Sequence, residues 1–161
     1  MLDLVVRNGY VVDGTGAPGR DAAIGIRAGR VAEIGRIDED ARVTVDAGGL
    51  VVAPGFVDLH SHYDAQVFWD PTLTPSCLHG VTTVVAGNCG LTLAPAAPED
   101  RDFLTRLLAR VEAIPIDALL AGVDYRWRTY PEFLDAVAAL PLGPNVGFMV
   151  GHSARRRASS R

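Results

Sequence analysis

The feature that most constrains this chain is a change of pattern at Pro54-Gly55. Before it lie short runs of alternating residues separated by Gly turns. After it, apolar strands alternate with amphipathic helical stretches. Leu2–Val6, Tyr10–Val12, Ala23–Arg27, Arg30–Ile34 and Arg42–Asp46 read as strands, with turns expected at Asn8-Gly9 and Ala28-Gly29. Residues 1–54 are therefore expected to form a small β unit. Beyond Gly55, Phe56–His60 is an apolar strand with a polar far end, and Gly80–Ala86 is a β-branched run of the kind buried in parallel sheets. A helix opens at the acidic stretch Pro98–Asp102, with Phe103, Leu104, Leu107, Leu108 and Val111 on its apolar face. A second opens at Thr129, with Glu132 completing a capping box, and stops at Pro141. Asn145–Val150 is a third buried strand. Strand alternating with helix predicts an α/β fold with a parallel sheet or barrel.

The chemistry clusters at the ends of these strands. In His60-Ser61-His62, residues i and i+2 of a strand project to one face, so both imidazoles can address one ion. Asp58 shares that alternation and could orient a ligand as an acceptor. Asp64 is read equally well as a turn cap. Cys89 follows the second buried strand in Gly87-Asn88-Cys89-Gly90, and a thiolate with imidazoles suits zinc. Cys77 and His79 precede that strand and are read as structural. His152, after the third strand, could touch substrate. Gly14-Thr15-Gly16-Ala17-Pro18-Gly19 fits a dinucleotide fingerprint, but a strand follows it where a helix would be needed, so it is read as a turn.

These residues carry a resemblance. Pro54–Asp64 resembles the metal-binding first strand of the amidohydrolase superfamily. His79-Gly80-Val81-Thr82-Thr83 through Gly87-Asn88-Cys89-Gly90 narrows it to the D-aminoacylase (N-acyl-D-amino-acid deacylase) group. Residues 8–16, 29–35, 130–135 and 150–153 are similar to that group as well. The resemblance implies a partial TIM (β/α)8 metal-dependent hydrolase barrel (residues 55–153) preceded by a small β-sandwich segment (1–54). It implies zinc as cofactor, with His60, His62 and Cys89 as ligands. The implied reaction converts an N-acyl-D-amino acid and water to a D-amino acid and a carboxylate. The general-base aspartate of that group is expected beyond residue 161. The chain is accordingly expected to be a truncated, inactive N-terminal fragment. Two alternatives stand beside this reading. One is a cyclic-amide hydrolase of the dihydropyrimidinase or dihydroorotase kind, against which Cys89 argues. The other is a non-catalytic zinc-binding fragment.

Charge excludes other classes. Residues 1–150 hold 11 Arg and all 19 acidic residues, while the last eleven hold four Arg and no acid. The net charge of −4 does not suit a nucleic-acid binder. Residues 154–161 are expected to be an aberrant basic tail. The chain contains no lysine, which removes Schiff-base and P-loop chemistry. No apolar run suits a membrane span, and no signal-peptide pattern opens the chain, so a cytoplasmic address is expected. The expected partner is a small-molecule N-acyl amino acid. A three-stranded open sheet would also expose an unpaired edge, for which aggregation is expected.

Overall fold

A computed structural model describes residues 1–160. The chain divides into two compact units, Met1–Pro54 and a second beginning at Gly55. The first holds β1 (Leu2–Val11), β2 (Arg20–Arg27), β3 (Arg30–Gly35), β4 (Ala41–Asp46) and β5 (Val51–Val52). They form one five-stranded sheet ordered β3-β2-β1-β4, with β5 beside the far end of β1. β2 pairs antiparallel with both β1 and β3, whereas β4 and β5 run parallel to β1. Leu2, Val5 and Ile37 form its small core.

The β2–β3 hairpin turns where expected, with Ala28 and Gly29 both at positive φ (52° and 72°), as the right-handed strand twist demands. Asn8-Gly9 does not turn the chain. β1 continues through it, and Asn8 (φ 62°) sits in an irregularity of the β1–β2 register between Val6 and Gly9. A left-handed residue serves a bulge as well as a turn, and the strands on either side decide between them. Gly14–Gly19 is a turn, with the Asp13 carboxylate accepting from the backbone N–H and hydroxyl of Thr15 before β2 begins.

The second unit is a parallel three-stranded sheet, β6 (Phe56–Asp58), β7 (Val81–Ala86) and β8 (Asn145–Phe148), in that spatial order. Between β7 and β8 run α1 (Arg101–Glu112), α2 (Ile116–Gly122) and α3 (Tyr130–Ala138). α3 starts with the expected capping box: the Thr129 hydroxyl accepts from the Glu132 N–H, and the Glu132 carboxylate accepts from the Thr129 N–H. Of the expected apolar face of α1, Leu104 and Leu108 are buried while Phe103 and Val111 are exposed; on α3, Phe133 and Val137 are buried and Leu134 is exposed. α2 carried no periodic signal in the sequence; it is short, and Leu119 is its one buried residue.

The core centres on Trp127 and Phe133, both fully buried. Trp127 stacks on Phe68 at 4.9 Å, meets Phe133 edge-on at 5.1 Å, and donates its indole N–H to the Leu93 carbonyl at 2.7 Å. The basic end is helical as α4 (His152–Ser159). Ala154 is buried there. Arg157 pairs with the buried Asp100 at 2.7 Å and lies 4.4 Å from the centre of the Phe103 ring. Phe56, Val57 and Leu59 on and beside β6 are largely exposed.

Phe133→Ala is expected to destabilise the chain by about 3–5 kcal/mol through the cavity it leaves. Thr129→Ala should cost about 1 kcal/mol by removing the cap. Urea unfolding of the two variants beside the parent chain measures both.

Candidate metal centre

The parallel register of β6 and β7 brings their C-terminal ends together. Pairing continues past Asp58, since Ser61 donates both its N–H (3.1 Å) and its hydroxyl (3.0 Å) to the Val85 carbonyl. Asn88 donates its side-chain amide to the same carbonyl at 3.0 Å and to that of Leu59 at 3.3 Å. The segment that carries His60 and His62 is thereby tied to the turn that carries Cys89.

That turn is tight. Gly87 (φ 84°), Cys89 (φ 57°) and Gly90 (φ 75°) all adopt left-handed backbone. At Gly87 a side chain is doubly excluded, because a Cβ there would lie 2.5 Å from the Met149 carbonyl oxygen. For Cys89 the left-handed conformation is a local cost, which its neighbours hold in place.

The result is a group of three donors. His60 Nε2 lies 3.3 Å from His62 Nε2 and 3.4 Å from Cys89 Sγ. Among the described residues these three form a group whose ligand atoms all lie within 4.8 Å of one another. Ordinary zinc bond lengths put two nitrogens on one tetrahedral ion about 3.3 Å apart, and a nitrogen and a sulfur about 3.6 Å apart. Both contacts of His60 match those separations. His60 and Cys89 are exposed, so the group opens to solvent, while His62 is half-buried.

The neighbouring acids take separate roles. Asp58 accepts the backbone N–H of His60 at 3.0 Å, so it braces the ligand strand through the main chain and does not contact an imidazole by that bond. Asp64 is completely buried and accepts the Gly87 N–H at 3.0 Å. Burial pushes the Asp64 carboxyl up to about 6, although the Thr92 side chain, the backbone N–H of Gly87 and the charge of His62 pull it down. Glu112, unmarked in the sequence, reaches His62 from the end of α1, with Oε1 3.1 Å from Nδ1. His152 stands at the start of α4, exposed and outside the three-donor group. Cys77 and His79 lie in a helical turn before β7, at the opposite end of that strand.

Residues 43–130 match the model of the amidohydrolase family. This chain belongs to the amidohydrolase family. It is 42% identical over 158 residues to a D-aminoacylase of Alcaligenes xylosoxydans xylosoxydans, the match covering 98% of this chain and 30% of that protein. It is 45% identical to an uncharacterized protein of Mycobacterium tuberculosis, over 97% of this chain and 26% of that one. Among solved structures, a D-aminoacylase described for its binuclear metal center superimposes with a TM-score of 0.80 at 39% identity, over 98% of this chain and 31% of that one. An N-acyl-D-glutamate deacylase from Bordetella bronchiseptica, complexed with zinc and a phosphonate inhibitor, gives 0.77 at 36% identity, over 96% of this chain and 30% of that one. The chain thus spans about a third or less of the length of these relatives.

Because the Asp64 carboxyl sits above its unfolded value, its contribution to stability is complete below about pH 4 and is lost as pH rises through about 6. The loss amounts to about 3 kcal/mol in the metal-free chain. Asp64→Asn should flatten the pH dependence of unfolding across that window, as urea titrations between pH 4 and 7.5 would record.

Proposed function

We propose that this chain supplies the first metal-binding segment of a zinc-dependent amide hydrolase that acts on N-acyl-D-amino acids, with His60, His62 and Cys89 as the zinc ligands. The observation that carries the proposal is the meeting of two imidazoles and one thiol within 4.8 Å, with His60 at the separations from the other two that one tetrahedral ion would impose. Imidazole with thiolate is a donor set suited to zinc rather than to magnesium or calcium. Relatives named for deacylation of N-acyl-D-amino acids support the substrate class.

When bound, such an ion supplies Lewis-acid polarisation of an amide carbonyl and a water that ionises near neutral pH. The chain's own residues provide the frame for this chemistry. His60 sits between the other two donors. The left-handed backbone at Cys89 holds its sulfur toward His60. Asp58 and Ser61 keep the ligand strand in register with β7. His152, at the same edge of the sheet, is proposed as a substrate contact. Residues 1–54 are proposed as a β-sandwich segment and residues 55–153 as the opening strands and helices of the barrel. The general base is not among these assignments, so these 161 residues alone are proposed to bind zinc without turning over substrate.

Zinc retained after purification and dialysis, measured by atomic emission, should approach one ion per chain. His60→Ala and Cys89→Ala should each weaken binding by at least tenfold. A parent chain that retains no zinc removes the ligand assignment. Incubation with N-acetyl-D-amino acids should release no free amine, and measurable release would overturn the reading of this chain as non-catalytic by itself.

A further inference from the structure

We infer that Glu112 is a positioning residue for the proposed centre, its carboxylate standing 3.1 Å from His62 Nδ1 and favouring the proton on that nitrogen, so that the Nε2 lone pair of the ring is presented beside His60. The inference rests on the metal reading given above and adds a residue to it.

Three observations converge. First, helical spacing aims Glu112 inward. Leu104 and Leu108 are the buried residues of α1 that face the core, and Glu112 continues that i, i+4 row by one further turn. Its side chain is only 22% exposed, as is that of His62. Second, the helix dipole opposes a carboxylate at this position. Glu112 is the last residue of α1, where the unpaired carbonyls make a negative charge unfavourable, and Ala113 ends the helix in left-handed backbone. A half-buried acid at the wrong end of a helix has no rationale in the stability of the helix. Third, His62 Nδ1 is itself shielded from water, and Glu112 Oε1 is 3.1 Å from it. The approach is close but off the line of the ring N–H, so no fully aligned hydrogen bond reaches this buried nitrogen.

The ring geometry then defines the role. A neutral imidazole carries its proton on one nitrogen and its lone pair on the other. A carboxylate against Nδ1 selects the tautomer with Nδ1–H and leaves Nε2 as the free donor. Nε2 is the atom that lies 3.3 Å from His60 Nε2. Carboxylates that hold the far nitrogen of a ligating histidine fix its orientation and raise its basicity, and their loss typically weakens metal binding by about 10–100-fold.

The test uses the full chain with Glu112→Ala and Glu112→Gln and two readouts. Long-range nitrogen–proton NMR of the zinc-free protein, at a pH where imidazoles are neutral, reports the His62 tautomer. Competition against a chromogenic chelator reports zinc affinity. The parent should show Nδ1–H at His62. Glu112→Ala should shift the ring toward Nε2–H and weaken zinc by about 10–100-fold. Glu112→Gln, whose amide oxygen can still accept, should retain part of both. A residue that only stabilises the fold would lower the melting temperature while leaving the tautomer unchanged. An unchanged tautomer in Glu112→Ala overturns the inference, as does zinc affinity equal to that of the parent. If the parent binds no zinc but its His62 tautomer depends on Glu112, the metal reading falls and the orienting role stands.

Discussion

One carbonyl group organises the site. The Val85 oxygen accepts from the Ser61 N–H, the Ser61 hydroxyl and the Asn88 amide. Two of these donors come from the segment between the histidines and the third from the residue before Cys89. A buried strand end must satisfy its last backbone groups somewhere, because an unpaired one costs a hydrogen bond's worth of stability. Here the same bonds that satisfy the end of β7 bring two loops, 29 residues apart at His60 and Cys89, to within 3.4 Å. The arrangement of the donors is therefore a consequence of parallel sheet pairing, extended by one serine and one asparagine beyond its last regular residue.

Electrostatics around that frame are costly by the standards of an ordinary core. Asp64 is completely buried, and burial raises its carboxyl despite the charge of His62. Glu112 sits at the unfavourable end of α1. Cys89 occupies left-handed backbone although it is not a glycine. Each is a local conflict between propensity and position, and all three lie around the same two loops. Conflicts grouped in this way are expected at functional sites. At the Thr129–Glu132 cap and in the Trp127 core, by contrast, the local preferences and the fold agree.

Much of this was legible from sequence because it depends on local physics. The β2–β3 hairpin, the α3 cap and the three parallel strands follow from turn residues, capping residues and runs of β-branched side chains. The family was also legible, since the His60-Ser61-His62 and Gly87–Gly90 motifs are contiguous. The failures have physical causes as well. Asn8-Gly9 favours left-handed backbone, which a turn and a bulge share, and only the pairing of β1 with β2, β4 and β5 selects the bulge. Residues 154–161 carry no sequence signal of packing beyond their basic charge. The helix His152–Ser159, in which Ala154 is buried and Arg157 meets an aspartate 57 residues away, follows from packing that no neighbouring residue announces. Glu112 gave no signal, because its partner lies 50 positions earlier in the chain.

The sequence by itself determined the donor types, their order along the chain and the strand grammar that delivers them, because a side-chain period of two and a β-branched run are properties of neighbouring residues. Only the tertiary structure decided which acids attend those donors. Asp58 turns to the backbone, Asp64 is sealed beneath the Cys89 turn, and Glu112 arrives from a distant helix end. Those assignments depend on the register between strands and on the packing of α1, and no spacing within a single segment encodes either.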